Sequence, residues 1–252
     1  MPNSSFLPTP SPGDEVPAGP RATLDRALVA LKKRLVAEGT IAVSMLESAL
    51  EALWKLDVAR AKEVRRNDDR VDREEVEIEQ ECYRLMTLQH PFARDFRVLT
   101  FILKVNGDLE RVADHATSIA KVTQRLEFDA PPREWPTSLV EMGQRVTVMC
   151  HSLLRAVLDE DAMVAAQIVG EDKTIDVLER RLFDEIEDLM RKDPGWVRNG
   201  LLMYRVGREL ERVGDLMKNI AEDVIYLATG SIVRHESKRF ASRPAGQESG
   251  PG

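Results

Sequence analysis

From about residue 22 to residue 229, apolar residues recur every three or four positions with charged residues between them. That period sets the apolar side chains in one stripe along an α-helix and does not fit the alternation of a half-buried strand. Interruptions divide the pattern into six stretches. The first helix is expected from about Ala22 to Leu56, bending near Gly39, and the second from Val58 to Leu88. Gln89-His90-Pro91 ends the second helix, because proline has no amide hydrogen to continue the ladder. The third should run from Ala93 to Leu126, followed by EFDAPPREWPT, whose three prolines make a linker. A fourth helix fits Ser138 to Leu158 and a fifth Asp161 to Arg191. After the turn Asp193-Pro194-Gly195, the sixth runs from Trp196 to Thr229, with Gly230 suited to a left-handed cap.

The flanks lack this pattern. Residues 1–21 and 233–252 are rich in Pro, Gly and Ser and are expected to be disordered tails, because they offer too little apolar surface to offset ordering. The body is internally duplicated. Leu50, Ala52, Ala61, Asp68 and Asp72 recur as Leu154, Ala156, Ala165, Asp172 and Asp176, 104 positions on, and Glu110 recurs as Glu211, 101 on. The offset changes at the turn between the second and third helices, where a short deletion does no harm. The expected fold is therefore all-α: two tandem pseudo-symmetric three-helix bundles at 22–127 and 138–232, joined by a linker at 128–137.

The duplication repeats a costly phrase. LERVAD spans Leu109 to Asp114 and LERVGD spans Leu210 to Asp215, each setting a Glu and an Asp four residues apart on one helix face. Like charges at that spacing repel by a few tenths of a kcal/mol. The preceding helix of each half adds a second acidic stripe: Asp68, Asp72 and Glu75, then Asp172, Asp176 and Glu179. The stripe Val64, Val71, Ile78 and Leu85 runs beside the first trio, so the acids belong at the edge of the core. On the third helix, Ile102, Asn106, Leu109, Ala113, Ala116 and Ala120 form the inner stripe, flanked by Glu110 and Asp114. Asp108, His115 and Glu209 point elsewhere and are excluded from the sites.

If adjacent helices in each half bring these pairs together, four carboxylates converge, and they need a counter-ion when desolvated. Hard cations take such oxygen donors, and bridging carboxylates can hold more than one. The competing reading is a solvated charged face with in-helix pairs from Arg65 to Asp68, Arg111 to Asp114, and Arg212 or Lys218 to Asp215. Glu110, however, has no basic residue three or four positions away. Gly107, Gly207 and Gly214 lie inside helices, where each costs about 1 kcal/mol relative to Ala. Close backbone approach is the usual compensation.

Composition narrows the functions. The chain has 252 residues, 5% aromatic and 31% charged, with a net charge of −7, which argues against a nucleic-acid surface. The only cysteines, Cys82 and Cys150, sit in apolar helical contexts and are expected as free buried thiols, so no zinc finger is available. With no signal peptide and no bilayer-length apolar run, a cytoplasmic protein is expected. There is no Walker A loop, no GxGxxG after a strand and no GxSxG. None of His90, His115, His151 and His235 has a Glu three positions before it, so the Glu-x-x-His pairs of ferritin-like oxidases are missing and no enzyme activity is expected.

LERVADHATSIAK and LERVGDLMKNIAED, each preceded by an Asp-x-x-x-Asp helix, resemble the PhoU family of phosphate-transport regulators over nearly everything between the tails. The resemblance implies a multinuclear metal cluster on each half, iron first, with zinc, manganese or magnesium as alternatives. Carried over by motif, one site would use Asp68, Asp72, Glu110 and Asp114, and the other Asp172, Asp176, Glu211 and Asp215. It further implies a homodimer that restrains the phosphate-starvation response. Its partners would be the ATPase subunit of a phosphate ABC transporter and a sensor histidine kinase, and it would meet the membrane only through them. A metal-free helical scaffold and a carboxylate-bridged metal enzyme are the alternatives. The long Pro-rich N-terminal tail and His115 depart from the family pattern.

Overall fold

The computed structural model describes residues 20–232, so both expected tails lie outside it apart from the few residues nearest the body. Six α-helices follow one another: α1 (Pro20–Lys55), α2 (Val58–Gln89), α3 (Arg94–Thr123), α4 (Thr137–Asp159), α5 (Ala162–Lys192) and α6 (Val197–Thr229). A 3-10 turn at Pro194–Trp196 precedes α6. The described residues contain no strand.

Local chemistry fixes the boundaries. Asp57 caps α2 by accepting from the Arg60 amide at 2.9 Å, and Asp161 caps α5 by accepting from Met163 and Val164. α2 ends at His90 and α4 at Glu160, both left-handed, while Gly230 closes α6 at φ 75°. α3 stops at Thr123, three residues before Leu126, because the Arg125 amide turns back to Val122. The bend expected near Gly39 does not break α1, which runs unbroken past it. A Cβ at Gly39 would lie 2.6 Å from Leu154 and 3.1 Å from Leu109, so this glycine marks a helix crossing.

α1 packs on both α2 and α3, and α4, α5 and α6 pack together in the same way. The halves do not keep separate cores. α3 lies against α6 and α1 against α4, so one apolar cluster runs through all six helices. The linker is also fixed in place. Asn199 accepts from the Glu127 amide and donates to its carbonyl, both at 3.0 Å. Trp135 packs edge-on against Trp54, and Phe128 packs against Trp196. Cys82 and Cys150 are free and buried. No helix among the described residues is long and apolar enough to cross a membrane.

Candidate functional site

α2 and α3 lie side by side, and the expected inner stripes are the buried ones: Val64, Val71, Ile78 and Leu85 on α2, and Ile102, Asn106, Leu109, Ala113, Ala116 and Ala120 on α3. Asn106 ties the two helices by donating to the Glu75 carbonyl at 2.9 Å. The acids therefore stand along the rim of this seam. Asp68, Glu75 and Glu110 are half-buried, while Asp72 and Asp114 reach solvent.

The four residues expected in the first site share one electrostatic field. Burial, followed by Asp114, Glu75 and Asp72, pushes the Glu110 carboxyl up to about 7. Burial also raises Asp68; the neighbouring Thr117 hydroxyl opposes this, while Asp114 and Asp72 add to it. Asp68 Oδ1 is shielded from water without a hydrogen-bond partner. Among the described residues, however, no three His, Cys, Asp or Glu side chains are drawn closely enough together to grip a single ion. The carboxylates line a face and stop short of a closed cage.

A further acid belongs to this face. Glu38 of α1 is fully buried, and neither of its carboxylate oxygens has a hydrogen-bond partner. Burial first, then Glu75, Glu74 and Glu110, pushes it up to about 9. Arg34, one turn earlier, is engaged with Glu74 and Glu77 at 2.8 Å. The sequence did carry a signal for Glu38: it stands in the stripe Leu31, Leu35, Ala42, Leu46, Ala49 and Leu53, which is otherwise wholly apolar and buried. Orphaned carboxylate oxygens are the groups a hard cation satisfies, so the donor chemistry of this face fits a divalent metal.

The second face is built from α5 and α6 but is differently balanced. Asp172 is buried and forms an ion pair with Lys218. Arg208 approaches Glu179 at 3.6 Å and Glu211 at 3.5 Å, and the Tyr204 hydroxyl donates to Glu179 at 2.6 Å. Burial still raises Asp215, aided by Asp172 and Asp176 against Lys218. Glu211 is raised by burial, with Arg208 opposing and Asp215 adding to it.

The in-helix pairs expected of a solvated face are not formed as drawn. Arg111 meets Asp108 at 3.0 Å and Arg212 lies 3.9 Å from Glu209. Lys218 crosses to α5 and reaches Asp172 rather than Asp215. In each case a more buried carboxylate on another face is the stronger attractor. Of Gly107, Gly207 and Gly214, only Gly207 is tightly packed, where a Cβ would lie 2.2 Å from Leu182. At Gly107 and Gly214 an added Cβ would meet neighbours at ordinary contact distance.

Asp108, His115 and Glu209 lie away from both faces. His115 Nδ1 donates to Glu209 at 2.8 Å and Ser118 donates to its other oxygen at 2.6 Å. Burial opposes ionisation of Glu209, but these bonds and the nearby Arg212 hold its carboxyl down at about 2.

The PhoU domain family matches the chain twice, at residues 35–123 and 139–224. A Burkholderia sp. protein named phosphate-specific transport system accessory protein PhoU homolog is 34% identical over 223 residues, covering 88% of this chain and 95% of its own length. A Deinococcus radiodurans protein of the same name is 37% identical over 187 residues, covering 74% and 87%. Among solved structures, the phosphate transport system regulatory protein PhoU of Streptococcus pneumoniae superposes with a TM-score of 0.77 at 30% identity, covering 83% of this chain and 99% of its own. PhoU of Pseudomonas aeruginosa gives 0.76 at 32% identity, covering 82% and 99%.

Proposed function

Because the chain belongs to the PhoU family, we propose that it is a metal-binding accessory protein of a phosphate transport system, acting in the cytoplasm without catalysis of its own. In this reading it docks on the transporter's ATPase subunit and on a sensor histidine kinase, as a homodimer, and restrains the phosphate-starvation response when phosphate is plentiful.

The observation that carries the metal reading is the pair of acidic faces at matched positions, one of them holding buried carboxylate oxygens with no partner. Asp68, Asp72, Glu110 and Asp114 would hold metal on the first face, and Asp172, Asp176, Glu211 and Asp215 are the matched donors of the second. A bound divalent ion, iron first among the candidates, supplies positive charge that lets these carboxylates sit together at the core's edge. Metal-bound side chains would bridge neighbouring helices and stiffen the half that carries them. The face they make turns from anionic to nearly neutral on loading, which changes what it can dock against.

Purification from phosphate-replete cells tests the functional reading. The chain should bring down the transporter ATPase and a sensor kinase, and should release them on starvation. Recovery of neither, with the protein abundant and folded, would contradict it.

A further inference from the structure

We propose that the two acidic faces are not equivalent: the first takes up a divalent cation with Glu38 of α1 as a ligand that joins three helices, whereas the second is held closed by its own cations, Arg208 and Lys218. This rests on the metal reading above and assigns it to one half.

The repeat makes the comparison position by position. Along α1 and α4 the offset is 104, so Glu38 corresponds to Met142, and both are fully buried. Along α3 and α6 the offset is 101. Arg208 therefore corresponds to Gly107, Lys218 to Thr117, and Tyr204 to Leu103. The three α6 groups that engage acids on the second face are all absent from α3.

The consequences differ by half. On the second face Lys218 occupies Asp172, while Arg208 and Tyr204 occupy Glu179 and Glu211. A metal ion entering there must displace one guanidinium and one ammonium from their carboxylates. On the first face, Asp68, Asp72, Glu75, Glu110 and Asp114 form no ion pair within 4.0 Å among the described residues. The gap at Gly107 leaves Glu75 Oε1 facing bare backbone, 4.0 Å from where a Cβ would stand. Arg111 is turned to Asp108, and Lys121 acts on Asp68 only from a distance. Behind this row lies Glu38, sealed from water and unpartnered; Glu75, Glu74 and Glu110 act on it, opposed only by Arg34, whose guanidinium is already paired with Glu74 and Glu77. A buried carboxylate set among other carboxylates is strongly unfavourable unless it holds a proton or a cation joins them, and an entering divalent ion takes the proton's place. The all-oxygen donor set selects a hard divalent ion over a thiophilic one.

Titration of the full, chelator-stripped chain with Mn2+, followed by calorimetry and by loss of the free-ion electron paramagnetic resonance signal, tests this. Asp72→Asn with Asp114→Asn should abolish uptake, and Asp176→Asn with Asp215→Asn should leave it unchanged. Glu38→Met places the second half's own residue in the first half, so it should fold. It should weaken Mn2+ binding at least tenfold. Arg208→Ala with Lys218→Thr should create a second binding equivalent. If Glu38→Met binds Mn2+ as tightly as the native chain while the Asp72/Asp114 variant does not bind, the metal reading survives and the role of Glu38 is overturned. If Asp176/Asp215 substitution removes as much binding, or opening the second face adds none, the asymmetry is overturned. If no variant changes uptake, the metal reading itself falls.

Discussion

His115 of α3 and Glu209 of α6 meet at 2.8 Å on the seam where the two halves of the duplication pack together. Ser118 completes the arrangement from the same helix as His115, so one buried carboxylate on α6 takes two bonds from α3. Removing its charge with Glu209→Gln should cost about 1.5–3 kcal/mol at neutral pH. The pH dependence has a definite sign. A carboxylate held below its ordinary value stabilises the fold above pH 4.5, and that contribution disappears as pH falls toward about 2. The gap in thermal midpoint between native and Glu209→Gln protein should therefore shrink below pH 4.5. A gap that stayed constant down to pH 2 would show that Glu209 does not work through its charge.

Gly207 and Gly170 should respond in opposite directions to the same change. A Cβ at Gly207 would collide with Leu182, whereas one at Gly170 meets nothing within 4 Å. Gly207→Ala should destabilise by about 1–3 kcal/mol through overpacking, and adding Leu182→Ala should relieve the clash. Gly170→Ala, on an open stretch of α5, should stabilise by about 0.5–1 kcal/mol through reduced unfolded-state freedom. Denaturant melts of the three variants read this directly.

The proline-bearing connection between the halves should behave as structure. Asn199 holds both polar groups of the Glu127 backbone. Asn199→Ala would leave them unsatisfied, at a cost of about 1–3 kcal/mol. Hydrogen exchange should rise first at Glu127 and in the first turn of α6. Unchanged protection there would mean that Trp54, Trp135, Phe128 and Trp196 hold the segment without Asn199.

Removing metal should lower the thermal midpoint. An ion that binds only the folded chain stabilises it by about 2.7 kcal/mol at a free concentration one hundred times its dissociation constant. Chelation should reverse that gain with little loss of helical circular dichroism, because one apolar cluster runs through all six helices. Identical midpoints with and without saturating divalent ion would count against a folded-state metal site.

Much of this architecture was legible in the sequence. The 3.6-residue period marked all six helices, and the buried stripes of α2 and α3 are those the pattern named. The repeated LERV phrases put Glu110 and Asp114 on the helix that packs against the one carrying Asp68 and Asp72, although among the described residues no three acids close on one point. The joining of the two cores was hidden, because apolar stripes on α3 and α6 are explained equally well by packing within each half. Glu38 was visible as one acid inside an apolar stripe, but a single deviant position has no partner in the sequence to say what it faces. The roles of Arg208 and Lys218 were obscured by proximity along their own helix, which favours in-helix pairs, whereas burial drew Lys218 across to Asp172.

Anomalous diffraction from crystals of the iron- or manganese-loaded chain, collected at the metal edge, bears most directly on the metal reading. The account predicts a peak in the seam between α2 and α3, within ligating distance of carboxylates from Asp68, Asp72, Glu110 and Asp114. A loaded crystal with no peak in either acidic seam, or with metal only at surface sites elsewhere, would contradict it.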